Sequence, residues 1–473
     1  MSKELAARAR KGTHAMLATR VLSVGVAAVS ITVLSRLIPP AEFGVWAVAV
    51  LALGLATIVR ELGLVASIAQ APELPREALE RYFWLSVRVS CATAIGLALA
   101  APLLAWLYGA PRLQAVVWAG CASLVLGGLG LVHAARLRRE LQYGKVALVE
   151  GGGLLAGLAV SLAAAWLWRD VRALVAGHIA GAAWIAASAL ILGGWLPRAA
   201  GRRARINLAF SLQVTWYNLA TYAGNNVGVA AGFRFGAVDL GLFNRAQQVY
   251  NLAHFAFLTP LAEVAFSLLC RLRQERAYVE AYILLARRVW VLFLPYAAVL
   301  PLVSEDLVRA LLGPAWAGAA PVLAWFAPAV LAQAFASLFA QLMASQGRGS
   351  ELRAWAVADL ALRAGGAALG ARYGIVGLAA GFALASLLTV PLMAWIAGRR
   401  GPVKLRHQLD ALWPGLLLAA AAALGATAAS AAEVDAGWHR LALVGASAAA
   451  CWALVCALLR PARDALLGKV APA

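Results

Sequence analysis

The sequence predicts an all-α integral membrane protein of about 14 transmembrane helices. They form two six-helix lobes in parallel repeat, with a central cavity between the lobes, plus two C-terminal helices. Three observations lead there: apolar runs of bilayer length, duplication of those runs, and basic loops that alternate with non-basic ones. Of 473 residues 63% are apolar and the mean hydropathy is +0.79, too little polar surface to coat a soluble globule of this size.

A spanning helix needs about 20 apolar residues. In the first half such runs fall near 15–38, 43–70, 82–108, 113–134, 146–168 and 173–196; in the second, near 207–235, 241–269, 281–303, 318–345, 352–371 and 374–398; a last pair lies near 411–431 and 441–459. Backbone polar groups must be paired inside hydrocarbon, and long runs without alternation satisfy that as helices. The expected division is 1–200 for the first lobe, 201–403 for the second, and 404–473 for the extra helices and a short tail.

The duplication is carried by three echoes. Glu42-Phe43-Gly44-Val45-Trp46 is answered 197 residues later by Asp239-Leu240-Gly241-Leu242-Phe243. One hairpin further on, Leu107-Tyr108-Gly109-Ala110-Pro111 is answered by Leu312-Gly313-Pro314, and in the next Ala176-Gly177 by Ala380-Gly381. An even number of spans per copy gives both copies the same orientation, hence an axis along the membrane normal and a substrate site between the lobes.

The net charge of +20 is a topology signal. Lys and Arg concentrate in every second loop, while the opposite loops hold only Arg112, Arg169, Arg172, Arg309, Arg372 and Arg440. This positive-inside alternation places both termini in the cytoplasm and turns the basic charge toward membrane lipids, with no nucleic-acid partner. Lys3, Arg8, Arg10 and Lys11 precede an apolar stretch that is span-length and carries Arg20, which reads as an uncleaved first helix. Cys91, Cys121, Cys270, Cys451 and Cys456 show neither ligand spacing nor catalytic companions and read as small packing residues. No nucleotide or metal motif appears, so no cofactor is expected.

Polar residues inside the spans mark candidate binding groups. Ser211, Thr215, Asn218, Tyr222 and Asn225 recur along one face of span 7, and Asn244, Gln247, Asn251 and His254 along one face of span 8, with Arg245 and Gln248 beside them. Such stripes serve either as interhelical hydrogen-bond glue or as amide and hydroxyl groups for sugars, with Trp216, Tyr217, Tyr222 and Tyr250 offering ring faces. Arg20, Arg60 and Arg88 lie toward the cytoplasmic side of spans 1 to 3, Arg36, Arg234 and Arg245 toward the other side, and Arg363 near the middle of span 11. The carboxylates at comparable depth are Glu61, Glu263 and Asp359. Asp359 and Arg363, four apart, either neutralise each other or act separately. The excess of guanidinium favours an anionic substrate, because the planar fork binds phosphate oxygens in pairs.

The run SRLIPPAEFGVWAVAVLALGLATIVRELGLVASIAQ resembles the first hairpin of bacterial polysaccharide transporters, the Wzx-type flippases of lipid-linked oligosaccharides. LGLFNRAQQVYNLAHFAFLTPLAEV, LLGPAWAGAAPVLAW, ASQGRGSELR and YGIVGLAAG resemble later parts of the same family, over roughly residues 10–400. The resemblance implies membership of the superfamily that also holds multidrug antiporters and lipid II flippases. It further implies transport of an undecaprenyl-diphosphate-linked glycan across the bacterial inner membrane by alternating access, without catalysis. Arg60 and Arg88 would then meet the diphosphate when the cavity opens to the cytoplasm, with Arg245 and Arg363 as later contacts; Arg20 joins the candidate substrate-binding set, and Asn218, Tyr222, Asn225, Asn244, Gln248 and Asn251 would meet the glycan. Polymerase and chain-length proteins of the same pathway are the implied protein partners, and an H+ or Na+ gradient the implied drive.

Two departures stand out: Asn225-Asn226-Val227 where the family often has an acidic residue, and Ser267 where a proline is usual. The alternatives are a cation-coupled exporter of small cations, which needs acidic cavity residues, and a glycan polymerase or ligase, which needs large periplasmic loops. A structural scaffold would need no arginines in the membrane.

Overall fold

The computed structural model describes residues 18–70, 74–198, 208–272, 274–431 and 438–467. Lys3, Arg8, Arg10 and Lys11 lie outside them, as do the side chains of Ser211, Tyr217, Glu263 and Ser267. The described residues are helical apart from short connections. Contacts divide the chain into two compact units, Met1–Gly241 and Leu242–Ala473.

In the first unit the helices are α1 (Ala18–Leu37), α2 (Pro40–Glu61), α3 (Leu64–Gln70), α4 (Arg76–Leu107), α5 (Pro111–Arg139), α6 (Tyr143–Trp168), α7 (Val171–Gly193) and α8 (Leu208–Ala231). The local sequence explains their ends. Pro40 and Pro111 open α2 and α5, where a missing N–H costs nothing. Asp170 caps α7 by accepting the Arg172 N–H, and Gly194 closes it at φ +66°. Glu42, in the first turn of α2, accepts 3.0 Å from Arg112 Nη1 and 3.1 Å from the Val171 N–H. One carboxylate thereby joins the starts of three helices. The pair α6 and α7 packs closely along Gly153, Gly157, Gly177 and Gly181. Although α8 begins the second sequence repeat, it packs against α2 and α3.

Helix α9 (Ala237–Ala253) straddles the division. The second unit continues with α10 (Thr259–Leu269), α11 (Glu275–Leu311), α12 (Ala319–Trp325), α13 (Ala327–Ser345), α14 (Gly349–Gly370), α15 (Gly374–Arg400), α16 (Leu405–Ser430), α17 (Trp438–Leu458) and α18 (Arg460–Leu467). A π turn at His254–Leu258 separates α9 from α10. Its cause is local, because Pro260 has no N–H to donate back into an α-turn. The extra helices α16 and α17 pack on α11 and on each other. The hairpin of α14 and α15 repeats the glycine packing of α6 and α7, through Gly366, Gly370, Gly377 and Gly381.

Eleven helices among the described residues are long and apolar enough to cross a membrane. The expected count was about 14. The run Gly349–Arg400 counts once but bends back at Ala371–Gly374 and holds two arms. Span 7 (α8) is helical but carries amides that dilute its apolar character, and span 8 is divided by a π turn into α9 and α10, of 17 and 11 residues. The chain is thus an all-α, multi-pass membrane protein.

The sequence echoes acquire a geometry. A Cβ on Gly44 would land on the carbonyl oxygen of Ala237, and a Cβ on Gly241 would land on that of Pro40. Gly109 and Gly313 both adopt left-handed φ, at +59° and +97°, just before a proline-led helix start. All five cysteines are free, with Cys121 and Cys456 buried.

Candidate substrate-binding site

In the first unit the candidate site lies where span 2 breaks. Helix α2 stops at Glu61; Leu62 and Gly63 turn left-handed at φ +43° and +60°, and α3 restarts at Leu64. A left-handed leucine is strained by roughly 1–2 kcal/mol, so the surroundings must impose it. They do. Leu64 and Ile68 of α3 are buried among Leu79, Tyr82, Phe83, Leu131, Val132 and Ala135, and Arg139 Nη1 donates to the Ile68 carbonyl at 2.6 Å.

At the break, Arg60 is buried to 7% exposure against Gly127 of α5, where a Cβ would collide with its guanidinium. Its Nη2 lies 3.7 Å from Glu61 Oε1, a loose ion pair. Nε and Nη1 are buried without a hydrogen-bond partner among the described residues. Neighbours in sequence point about 100° apart on a helix, which keeps the contact between Arg60 and Glu61 loose.

Arg88 shares the depth of Arg60 but not its direction. Ser86 Oγ donates to the Gly128 carbonyl at 3.0 Å and Ser90 packs on Gly128, so this side of α4 faces α5. Arg88 projects from the opposite side, on an exposed stripe that continues through Ile95, Leu99 and Leu103. Arg20 is half-buried on α1 and its carbonyl accepts from Ser23 Oγ.

The stripe on α8 divides. Tyr222 donates to the Val50 carbonyl of α2 at 3.0 Å, and Asn226 Nδ2 donates to the Tyr222 carbonyl at 2.9 Å. Thr215 is buried, whereas Asn218 and Asn225 are exposed. Tyr222 is therefore a tie between helices, whereas Asn218 and Asn225 stand at the surface of α8.

In the second unit, three of the expected residues bond together on α9. Arg245 Nη1 donates to Gln248 Oε1 at 2.6 Å, and Gln248 Nε2 donates to Asn244 Oδ1 at 2.8 Å. Arg245 itself is buried to 2% exposure, while Asn251 is half-buried one turn on. Arg363 Nε donates to Asp359 Oδ1 at 2.9 Å, both side chains buried, and its guanidinium lies 5.4 Å from the Phe382 ring. Asp359 and Arg363 are thus paired with each other in this structure. Tyr250 donates to Gln333 Oε1 at 2.8 Å and stacks on Phe326 at 4.8 Å, so its ring is engaged in the core. An apolar cavity of about 480 Å³ opens between α11, α12, α13, α15 and α16, lined by Leu294, Pro301, Trp325, Pro328, Leu387 and Ala419 among others.

Two features of the first site escaped the residue-by-residue reading. Gly127 makes room for Arg60 from a span 67 residues away, which no local pattern signals. The Leu62-Gly63 break had only one cue, a glycine following a charged pair inside an apolar run.

Residues 33–321 match the family described as polysaccharide biosynthesis protein. The chain is similar to the lipopolysaccharide biosynthesis protein WzxC of Escherichia coli (strain K12), at 24% identity over 64% of this chain and 63% of that protein. It is also similar to the succinoglycan biosynthesis transport protein ExoT of Rhizobium meliloti (strain 1021), at 23% identity over 73% of this chain and 71% of that one. The chain thus spans somewhat under two thirds of WzxC. In fold it resembles the lipid II flippase MurJ in an inward closed conformation, with a TM-score of 0.74 over 94% of this chain and 98% of MurJ at 10% identity. A MATE transporter in a bent conformation is more distant, at a TM-score of 0.54 over 84% of this chain and 96% of that one, with 12% identity. With well over half of its length matched, the chain belongs to the polysaccharide biosynthesis protein family.

Proposed function

We propose that this protein is a flippase that moves an undecaprenyl-diphosphate-linked oligosaccharide from the cytoplasmic to the periplasmic leaflet of a bacterial inner membrane by alternating access. The observation that carries the reading is Arg60. A guanidinium buried at a break in a membrane helix, with two nitrogens unpaired among the described residues, is suited to an anion. The diphosphate supplies that anion, Asn218 and Asn225 offer amides to the glycan, and the polyprenyl tail stays in lipid. Similarity to a succinoglycan transport protein and the fold shared with a lipid II flippase support the same reading.

The reading makes the protein a transporter without catalysis, with both termini in the cytoplasm and an H+ or Na+ gradient as the drive. A multidrug-type antiporter fits the MATE likeness but needs carboxylates free to meet a cation. Glu61 and Asp359 each lie against an arginine instead.

Deleting the gene tests the proposal. Lipid-linked glycan should accumulate in the cytoplasmic leaflet and surface polymer should disappear, while glycosyltransferase activity persists in isolated membranes. Loss of glycan synthesis itself would show an enzyme instead.

A further inference from the structure

We infer that Glu61 is a built-in surrogate anion: it holds Arg60 between cycles and competes with the substrate diphosphate for it, so that the diphosphate can leave. The inference rests on the reading of Arg60 as a diphosphate contact.

The geometry of the pair is that of a placeholder. A guanidinium carries five N–H donors. Arg60 makes no hydrogen bond with Glu61, only a 3.7 Å approach through Nη2, and Nε and Nη1 have no partner among the described residues. A permanent structural pair looks different, as Asp359 and Arg363 show, with a 2.9 Å hydrogen bond and both side chains enclosed. Glu61 is also the exposed member of its pair, at 40% against 9% for the Arg60 side chain. Glu61 is thus the less enclosed partner of a loose contact, one that an anion offering closer hydrogen bonds to Arg60 can displace. A bare buried guanidinium is strongly disfavoured, so Arg60 needs an anion whether or not substrate is present.

The backbone allows the exchange and confines it. Helix α3 is fixed by its apolar cluster and by Arg139, and α2 is packed against α5. Between them lie only the left-handed Leu62 and Gly63, so Glu61 can swing without moving either helix. Arg138, which pairs with Glu150 at 2.5 Å, is the second guanidinium whose charge acts on Glu61.

The test uses the full-length protein in neutral-lipid nanodiscs, with inorganic pyrophosphate as the probe in calorimetric titration. Glu61→Gln removes the competing charge at constant shape and should bind pyrophosphate roughly threefold to tenfold tighter, the range of a partly exposed ion pair. Arg60→Ala should abolish that binding in either background. In cells Glu61→Gln should export polymer more slowly despite the tighter site. Glu61→Asp, whose shorter arm weakens the pair, should shift affinity the same way and serves if Glu61→Gln does not fold. Unchanged or weaker binding in the folded variant overturns the Glu61 assignment while leaving Arg60-dependent binding in place. Were the diphosphate reading itself wrong, no pyrophosphate binding would depend on Arg60 in any background.

Discussion

Gly44 and Gly241 make the same contact in reverse. Each approaches the backbone carbonyl four residues before the other, Gly44 against Ala237 and Gly241 against Pro40, positions that correspond under the 197-residue repeat. Backbone atoms cannot rotate away, so both positions must stay without a Cβ.

Gly44→Ala and Gly241→Ala should therefore each lower stability by about 1–3 kcal/mol, because overpacking exceeds the gain of up to about 1 kcal/mol in helix propensity. Gly96→Ala, where a Cβ meets nothing within 4 Å, should leave stability unchanged or raised. Thermal denaturation in detergent distinguishes the two classes.

Arginine exchange in the first unit should separate two residues of equal depth. Arg60→Ala should abolish most polymer export and Arg60→Lys retain part of it, since an ammonium keeps the charge without the bidentate fork. Gly127→Val, which fills the niche beside the guanidinium, should resemble Arg60→Ala. Arg88→Ala, on the exposed stripe, should export close to normally. Export is scored per unit of protein in the membrane, and equal losses at Arg60 and Arg88 would refute the separation.

The Asp359 and Arg363 pair makes a thermodynamic prediction. Asp359→Asn or Arg363→Gln alone should destabilise by about 3–5 kcal/mol, because each leaves an uncompensated buried charge. The double variant should lie nearer the unmutated protein than either single one. A thermal double-mutant cycle measures this, and simple additivity would show that the two groups do not couple.

Topology can be mapped independently. Reporter fusions after Ala110, Val171, Val238, Ala310 and Tyr373 should report the periplasm, and fusions after Glu140, Gln274 and Pro402 the cytoplasm. Two or more reversals within one repeat would contradict the alternation of basic loops.

Much of the architecture was legible because lipid constrains sequence strongly: span-length apolar runs, proline-led helix starts and echoing glycines each have one physical cause. The repeat was legible through Gly109 and Gly313, whose left-handed backbones only glycine adopts without strain. Direction was the illegible part. Arg60 and Arg88 look equivalent in the sequence, yet one is enclosed beside Gly127 and the other lies on an exposed stripe. Tyr222 reads as a sugar platform but spends its hydroxyl on the Val50 carbonyl. Such outcomes depend on which distant helix lies alongside, and no local period encodes that.

The reciprocal glycine contact also bears on how such a chain arises. When each side of an interface presents the same surface, one ancestral segment suffices to specify both. A single substitution to glycine in an unduplicated six-span ancestor would have relieved the clash on both sides at once. Gene fusion would then have inherited a working seam, after which the two turns were free to diverge everywhere except at the glycine.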